Sequence, residues 1–273
     1  MLTTTHKQKK GPMNHIEDTV ATVLTLTDLR PNATVNAAMT NLVNSVIKAS
    51  EGDLSGISTA TKMQIKQVSA AAETEMENYW AKKILTSKSP HDTMQLFPYS
   101  DNYVELTKRE LTLTQESGTV IHPGSRVLVI GSGALPLSAL EIHRQSGATV
   151  DHVDISRSAI LLSSQLCQAL GVAGEHFVAA GSDVVVTKSY DLILIAALAG
   201  DSHHDKQVII DNLLPALSRA GRIIVRSARG ARTLLYSAID PGVLTRVTLL
   251  KEYHPTDHVI NSVFVYKRSD YET

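Results

Sequence analysis

The sequence predicts an α/β protein: a helical N-terminal part, then a mostly parallel sheet flanked by helices and finished by an antiparallel edge. Three observations carry this. Up to about residue 118, apolar residues recur at helical spacing. From about residue 124, short apolar strands alternate with helix-like stretches, which is the grammar of βαβ units. The tail then offers "RVTLLKEY" and "HVINSVFVYKR", two strands close enough to pair antiparallel.

The helical part begins after a polar stretch, "MLTTTHKQKKGPMNH", which lacks the apolar core of a secretory signal and reads as a disordered lead-in over 1–15, with Met13 as a second start site. In "ATVNAAMTNLVNSVIK", Val35, Met39, Leu42, Val43, Val46 and Ile47 share a helix face, and Asn32 is placed to cap it. "SGISTA" breaks the pattern. A long helix is expected from about Thr61 to Thr86, stopped by "SKSP" and Pro90. A third helix starts at Ser100 or Asp101 and carries Val104, Leu111 and Leu113. The helical domain is therefore set at 16–118 and the sheet domain at 119–273.

In the sheet domain the expected strands are "RVLVI" (126–130), "TVDHV" (149–153), "HFVAA" (176–180), "YDLILIAA" (190–197) and "GRIIVRS" (221–227). Between the second and third, "SRSAILLSSQLCQALG" places Ala159, Leu162, Leu166 and Leu170 on one face, with Gly171 as the stop.

Composition removes several function classes. The chain has 273 residues, 43% of them hydrophobic and 19% charged, with a formal net charge of −1. That balance disfavours a nucleic-acid partner held by bulk charge. No apolar run approaches the ~18 residues of a membrane span, so no membrane partner is expected and the cytoplasm is the default location. The single cysteine, Cys167, excludes an internal disulfide, and its apolar neighbours suggest a buried structural thiol. His203 and His204 in "GDSHHDK" are adjacent and point apart on most backbones, so no metal site is expected.

"VLVIGSGALPLSAL" (127–140) is a strand running into a glycine turn and a helix. Ligands of parallel α/β sheets bind outside the carboxyl ends of the strands. Gly131 and Gly133, with Ser132 between them, are expected to let backbone N–H groups approach a ligand. Asp154, 23 residues after Gly131, ends the second strand and is placed to accept ribose hydroxyls, with Ile155 following. Asp183, after the third strand, faces an adenine ring in this scheme, and Ala196 and Ala197 in "AALAG" flank a flat ligand. The whole predicts an adenosine ligand. Pro136 stands where a dinucleotide fold has its third glycine, which disfavours NAD, because that glycine permits close packing around a pyrophosphate. S-adenosylmethionine has no pyrophosphate and fits better, on a Rossmann-like sheet of the class I methyltransferase type.

At these residues a family resemblance becomes specific. "IGSGALPLSAL" resembles the signature of nicotianamine synthases. "FPYSDNYVELTKRE" (97–110), "AETEMENYWA" (72–81), "AALAG" and "RSARGARTLLY" (226–236) resemble four further blocks, in order, over roughly residues 33 to 265. Chain length, and Ala134 where plant and archaeal members have proline, are closer to the bacterial opine-metallophore synthases of the staphylopine, pseudopaline and yersinopine type.

The resemblance implies a chemistry that strand pattern alone does not. An amine attacks the γ-carbon of the methionine chain of S-adenosylmethionine, and methylthioadenosine leaves. In the bacterial subgroup the acceptor is histidine, and an opine-type dehydrogenase acts downstream; a homodimer is compatible with it. Glu77 matches the family's catalytic glutamate, and its helix neighbours Glu73, Thr74, Trp80 and Ala81 include no basic partner. Tyr103 matches the family's active-site tyrosine. Leu135 and Pro136 belong to the donor turn. Tyr99, Glu73, Arg226, Arg229 and Tyr236 are expected around the substrate, the arginines pairing with a carboxylate. Glu110 also matches a family glutamate, but its apolar helix neighbours Leu106 and Leu113 favour a structural role. A change at Glu77 is expected to spare donor binding, because the turn lies in the other half of the chain. The alternatives are a nicotianamine-like enzyme joining S-adenosylmethionine units, an ordinary methyltransferase, and a non-catalytic adenosine-binding module.

Overall fold

The computed structural model describes residues 15–269. The expected lead-in therefore lies outside the described residues except for His15, which opens a helix, and Met13 lies outside them too.

Five helices come first: α1 (His15–Leu24), α2 (Ala33–Lys48), α3 (Thr59–Leu85), α4 (Pro90–Gln95) and α5 (Ser100–Glu116). The Asn32 side chain caps α2, accepting from the backbone N–H groups of Thr34 and Val35. Two helices depart from expectation. In α1, Ile16, Val20 and Val23 bury one stripe, a spacing that is plain in the sequence once sought. At α4, Pro90 occupies the first turn and starts a helix, where no N–H is needed, besides ending α3.

The second part alternates β1 (Arg126–Ile130), α6 (Leu137–Ser146), β2 (Thr149–Asp154), α7 (Arg157–Ala169), β3 (His176–Val178), β4 (Tyr190–Ile195), α8 (His203–Leu213), β5 (Leu217–Ser227), β6 (Val247–Tyr253) and β7 (Ser262–Arg268). The sheet order is β3-β2-β1-β4-β5-β7-β6. The first five positions are parallel, while β7 runs antiparallel between β5 and β6. β3 is shorter than expected, β5 starts four residues earlier, and no helix separates β3 from β4. Among the described residues no helix is long and apolar enough to cross a membrane.

Alternation in β1 sends Leu128 and Ile130 to one face of the sheet and Val127 and Val129 to the other, each into its own core. A third cluster joins the helical layer to the sheet: Trp80, Ala81, Ile84 and Phe97 pack against Ala134, Leu135 and Leu137. Trp80 meets Phe97 edge to face at 5.7 Å between centroids. This contact lays the C-terminal third of α3 across the β1–α6 turn. A buried ion pair makes a second tie. Arg226 in β5 donates to both carboxylate oxygens of Glu110 in α5, at 2.7 and 2.9 Å.

Candidate active site

A cavity of about 690 Å³ opens at the carboxyl ends of β1, β2 and β4. Gly131, Ser132, Gly133, Leu135, Asp154, Ile155, Ala196 and Ala197 line it, in agreement with their expected clustering. Pro136 does not line it; it sits at the N-cap of α6, where its carbonyl accepts from Leu140. Asp183 is exposed and also outside the lining, because the chain turns outward after the shortened β3; Gly181 and Ser182 face the cavity in its place.

The turn differs from expectation in one chemical respect: its backbone N–H groups are already used. Gly131 and Ser132 donate to the Val153 carbonyl at 2.8 and 3.1 Å. Gly133 donates to Asp154 Oδ2 at 2.9 Å, and Ala134 donates to Glu77 Oε2 at 3.2 Å. Four successive amides are thus closed by protein acceptors, two of them carboxylates. A phosphate would meet negative charge here and no free backbone N–H among these four amides. Asp154 Oδ1 also accepts from Ser156 at 2.9 Å. A carboxylate has about four lone-pair positions, so Asp154 keeps capacity for hydroxyl groups.

Gly133 shows why the residue type matters. Its φ is +70°, and a Cβ there would lie 2.2 Å from Glu77 Oε2. Glu77 and the turn are 57 residues apart in sequence yet in contact. The expected independence of Glu77 from the donor turn is therefore corrected: the carboxylate is part of the turn's own hydrogen bonding.

A second cavity of about 260 Å³ lies within the helical layer. Glu73, Glu77, Tyr103, Tyr236 and Asn261 line both cavities and form the throat between them. Glu73 and Glu77 sit one turn apart on α3. Burial, then the like charge of Glu73, raises the Glu77 carboxyl well above its ordinary range. Burial also raises Glu73, opposed by the hydroxyl of Tyr236, which donates to Glu73 Oε2 at 2.9 Å. Burial and both glutamates push Tyr103 upward, so it stays a neutral phenol. Tyr99 lines the smaller cavity only.

The two arginines part company with their expected role. Arg226 lines the larger cavity, but it lies within β5 and the Nε–Nη2 edge of its guanidinium is taken by Glu110. Its charge is neutralised before any substrate carboxylate arrives. Arg229 is exposed and lines neither cavity. Among the described residues no lysine lines either cavity and Arg226 is already paired, so the carboxyl groups at the throat suit a cationic ligand.

Sequence reading passed over Lys206. It is fully buried in α8, and its Nζ donates to the carbonyls of Ala196 at 2.6 Å and Ala197 at 3.3 Å. Burial pushes its amine down to about 7. The signal was available: Lys206 shares the apolar stripe of Ile209, Ile210 and Leu213. His203 accepts from Asp240 at 2.6 Å, while His204 lines the larger cavity, so the two histidines diverge. Cys167 is buried, its thiol raised to about 12, beside His152 and His176. Those two rings stack at 3° with centroids 4.3 Å apart, so their lone pairs run parallel and do not converge on a shared ion.

The nicotianamine synthase protein family matches residues 6–272 of the chain. A nicotianamine synthase of Solanum lycopersicum is 30% identical over 252 residues, covering 89% of this chain and 79% of that protein. Nicotianamine synthase 9 of Hordeum vulgare is 32% identical over 272 residues, covering 96% and 80%. Among solved structures, a glutamate-to-glutamine mutant of MtNAS in complex with S-adenosylmethionine superposes with a TM-score of 0.81 at 20% identity, covering 94% of this chain and 98% of that one. An S-adenosylmethionine-dependent methyltransferase from Clostridium acetobutylicum superposes with a TM-score of 0.50 at 8% identity, covering 62% of this chain and 92% of that one. The expected fold, a helical region before a methyltransferase-type sheet, is the one observed, and the chain belongs to the nicotianamine synthase family.

Proposed function

We propose that the protein transfers the 3-amino-3-carboxypropyl group of S-adenosylmethionine to an amine, with histidine as the acceptor and methylthioadenosine as the by-product. The observation that carries this reading is the throat. Glu77, hydrogen-bonded to the donor turn, stands between the two cavities with Glu73 and Tyr103 beside it. Adenosine takes the larger cavity, its ribose on Asp154 and its base near Ala196 and Ala197. The sulfonium then lies toward the carboxylates, which balance its charge.

The amine nitrogen attacks the γ-carbon, and the C–S bond breaks with its electron pair going to sulfur. The sulfur leaves as a neutral thioether, and the nitrogen keeps one proton too many. Glu77 accepts that proton. A carboxyl raised by burial above the ordinary carboxylate range is a better match for this task than an ordinary one. Tyr103 donates a hydrogen bond to the amino-acid end of the donor or to the incoming amine. Most of the rate enhancement is assigned to alignment of nitrogen, carbon and sulfur. Glu73 and Tyr236 position these groups and close the site. In this reading the helical domain up to residue 118 supplies most of the acceptor side, completed by Tyr236, Ile260 and Asn261, and the sheet domain holds the donor. The enzyme works in the cytoplasm, as a homodimer, ahead of a dehydrogenase that completes an opine-type metallophore.

Mass spectrometry of purified protein with S-adenosylmethionine and each histidine enantiomer tests the reading. The expected result is methylthioadenosine in proportion to a histidine derivative heavier by one aminocarboxypropyl group. S-adenosylhomocysteine with a methylated acceptor would make the protein a methyltransferase. Methylthioadenosine formed without histidine, with products built from S-adenosylmethionine alone, would make it a nicotianamine-like synthase.

A further inference from the structure

The smaller cavity has mostly apolar walls, among them Val35, Met39, Leu235 and Ile260. Two polar side chains in that wall are unusual. Ser69 is 5% exposed and Asn261 is 8% exposed, and neither Ser69 Oγ nor Asn261 Nδ2 has a hydrogen-bond partner. Ser69 sits in the middle of α3, where a serine hydroxyl commonly bonds the carbonyl four residues back. Asn261 directly precedes β7, and rotation of its amide can present either end to the cavity. Buried polar groups are ordinarily satisfied, and leaving one unpaired is costly. Two such groups from distant parts of the chain, in the wall of one cavity, point to a ligand that completes them.

The charges around them limit what that ligand is. Among the described residues no lysine or arginine lines the smaller cavity. Arg226 lines only the larger one and is held by Glu110. Glu73, Glu77 and Asp101 do line the smaller cavity. An anionic group would therefore face three carboxyl groups, with the His258 imidazole as the one basic side chain in the wall among the described residues. We propose that Ser69 and Asn261 recognise a neutral hydrogen-bonding group at the end of the acceptor remote from its reacting amine. This rests on the reading that an amine reacts beside Glu77. The substrate class is an amine carrying a compact, uncharged heteroaromatic or amide group. A neutral imidazole fits, with one nitrogen to accept from the Asn261 amide and one to share a hydrogen bond with the Ser69 hydroxyl. The zwitterionic end of a second aminocarboxypropyl unit does not.

The test separates this from the transfer reading. Wild-type methylthioadenosine release with histidine is measured first and reports on transfer alone. Calorimetry then titrates histidine, phenylalanine and 2,4-diaminobutyrate, at a pH where imidazole is neutral, into protein saturated with methylthioadenosine. Wild type, Ser69→Ala and Asn261→Leu are compared. Wild type is expected to prefer histidine over phenylalanine by roughly tenfold or more, since a site built to hydrogen-bond rejects an analogue that lacks the group. That ratio should fall toward one in Asn261→Leu and decrease in Ser69→Ala. Melting temperatures of the unliganded variants should hold or rise, because no existing hydrogen bond is lost. A merely structural role would lower them and leave the ratio alone. Retention of the wild-type ratio in both variants overturns the assignment. So does tighter wild-type binding of 2,4-diaminobutyrate than of histidine, even where methylthioadenosine release stands.

Discussion

The two cavities meet at one throat but are built from different material. The larger is walled by backbone and very small side chains at the ends of parallel strands: Gly131, Ser132, Gly133, Ala196 and Ala197. The smaller is walled by longer side chains from α2, α3 and α5 and from the segment before β7. Small residues with fixed turns suit a ligand whose shape is constant. Side chains from several helices can be exchanged singly without disturbing a turn, so the smaller cavity is where specificity is free to vary. Glu77 belongs to both, because it accepts from the Ala134 amide on one side and faces the smaller cavity on the other.

The largest break in this contrast is expected from Gly133→Val. A left-handed residue with a branched side chain costs about 1–2 kcal/mol in backbone strain alone. Its Cβ would also displace the Glu77 carboxylate. Donor binding by calorimetry should be lost and turnover with it, while far-ultraviolet circular dichroism stays native. Unchanged donor affinity would place the donor elsewhere.

Glu77→Gln is expected next in size. Loss of the basic oxygen should lower the initial rate of methylthioadenosine release by ~10²- to 10⁴-fold. Raising the pH should recover part of it, since more of the acceptor amine is then neutral. Donor affinity should fall only modestly, because the glutamine carbonyl can still accept from Ala134. The same variant carries a stability signature. The Glu77 carboxyl is raised in the folded protein, so its protonated form is favoured there. The wild type therefore loses stability as pH rises from the ordinary carboxyl range up to the raised value. Glu77→Gln removes that loss. Unliganded Glu77→Gln should melt higher than wild type at neutral pH, and the gap should close below about pH 4. Parallel melting curves across that range would mean that Glu77 is not held in the raised state.

Asp154→Ala should weaken donor binding by about 1.5–3 kcal/mol through loss of charge-assisted hydrogen bonds. It also frees the Gly133 and Ser156 amides, so a small drop in melting temperature should accompany the weaker titration. The smallest effects are expected at Asp183→Ala and Arg229→Ala. Both side chains are exposed and outside the cavities. Surface changes of this kind usually alter stability by less than about 0.5 kcal/mol. Donor and acceptor KM should stay at wild-type values. A tenfold rise in either would bring these residues back into the site.

What the sequence determined by itself is local. The strand–glycine turn–helix of residues 127–140, the alternation of strands and helices, and the antiparallel edge depend on near neighbours, so they could be read from spacing. So could the clustering of Gly131, Gly133, Asp154, Ala196 and Ala197, because the strand ends of a parallel sheet share one rim. The tertiary structure decided what those residues face. Packing of Trp80 and Phe97 on Ala134 and Leu135 brought Glu77 onto the turn and used up the Ala134 amide. The pairing of α5 with β5 gave Arg226 to Glu110 before any substrate could claim it. The brevity of β3 turned Asp183 outward. Ser69 and Asn261 came to share a cavity although nothing near either of them in sequence marks it. Each of these depends on contacts between residues far apart in the chain. Such contacts are set by the packing of whole elements, which periodicity and turn chemistry do not encode one segment at a time.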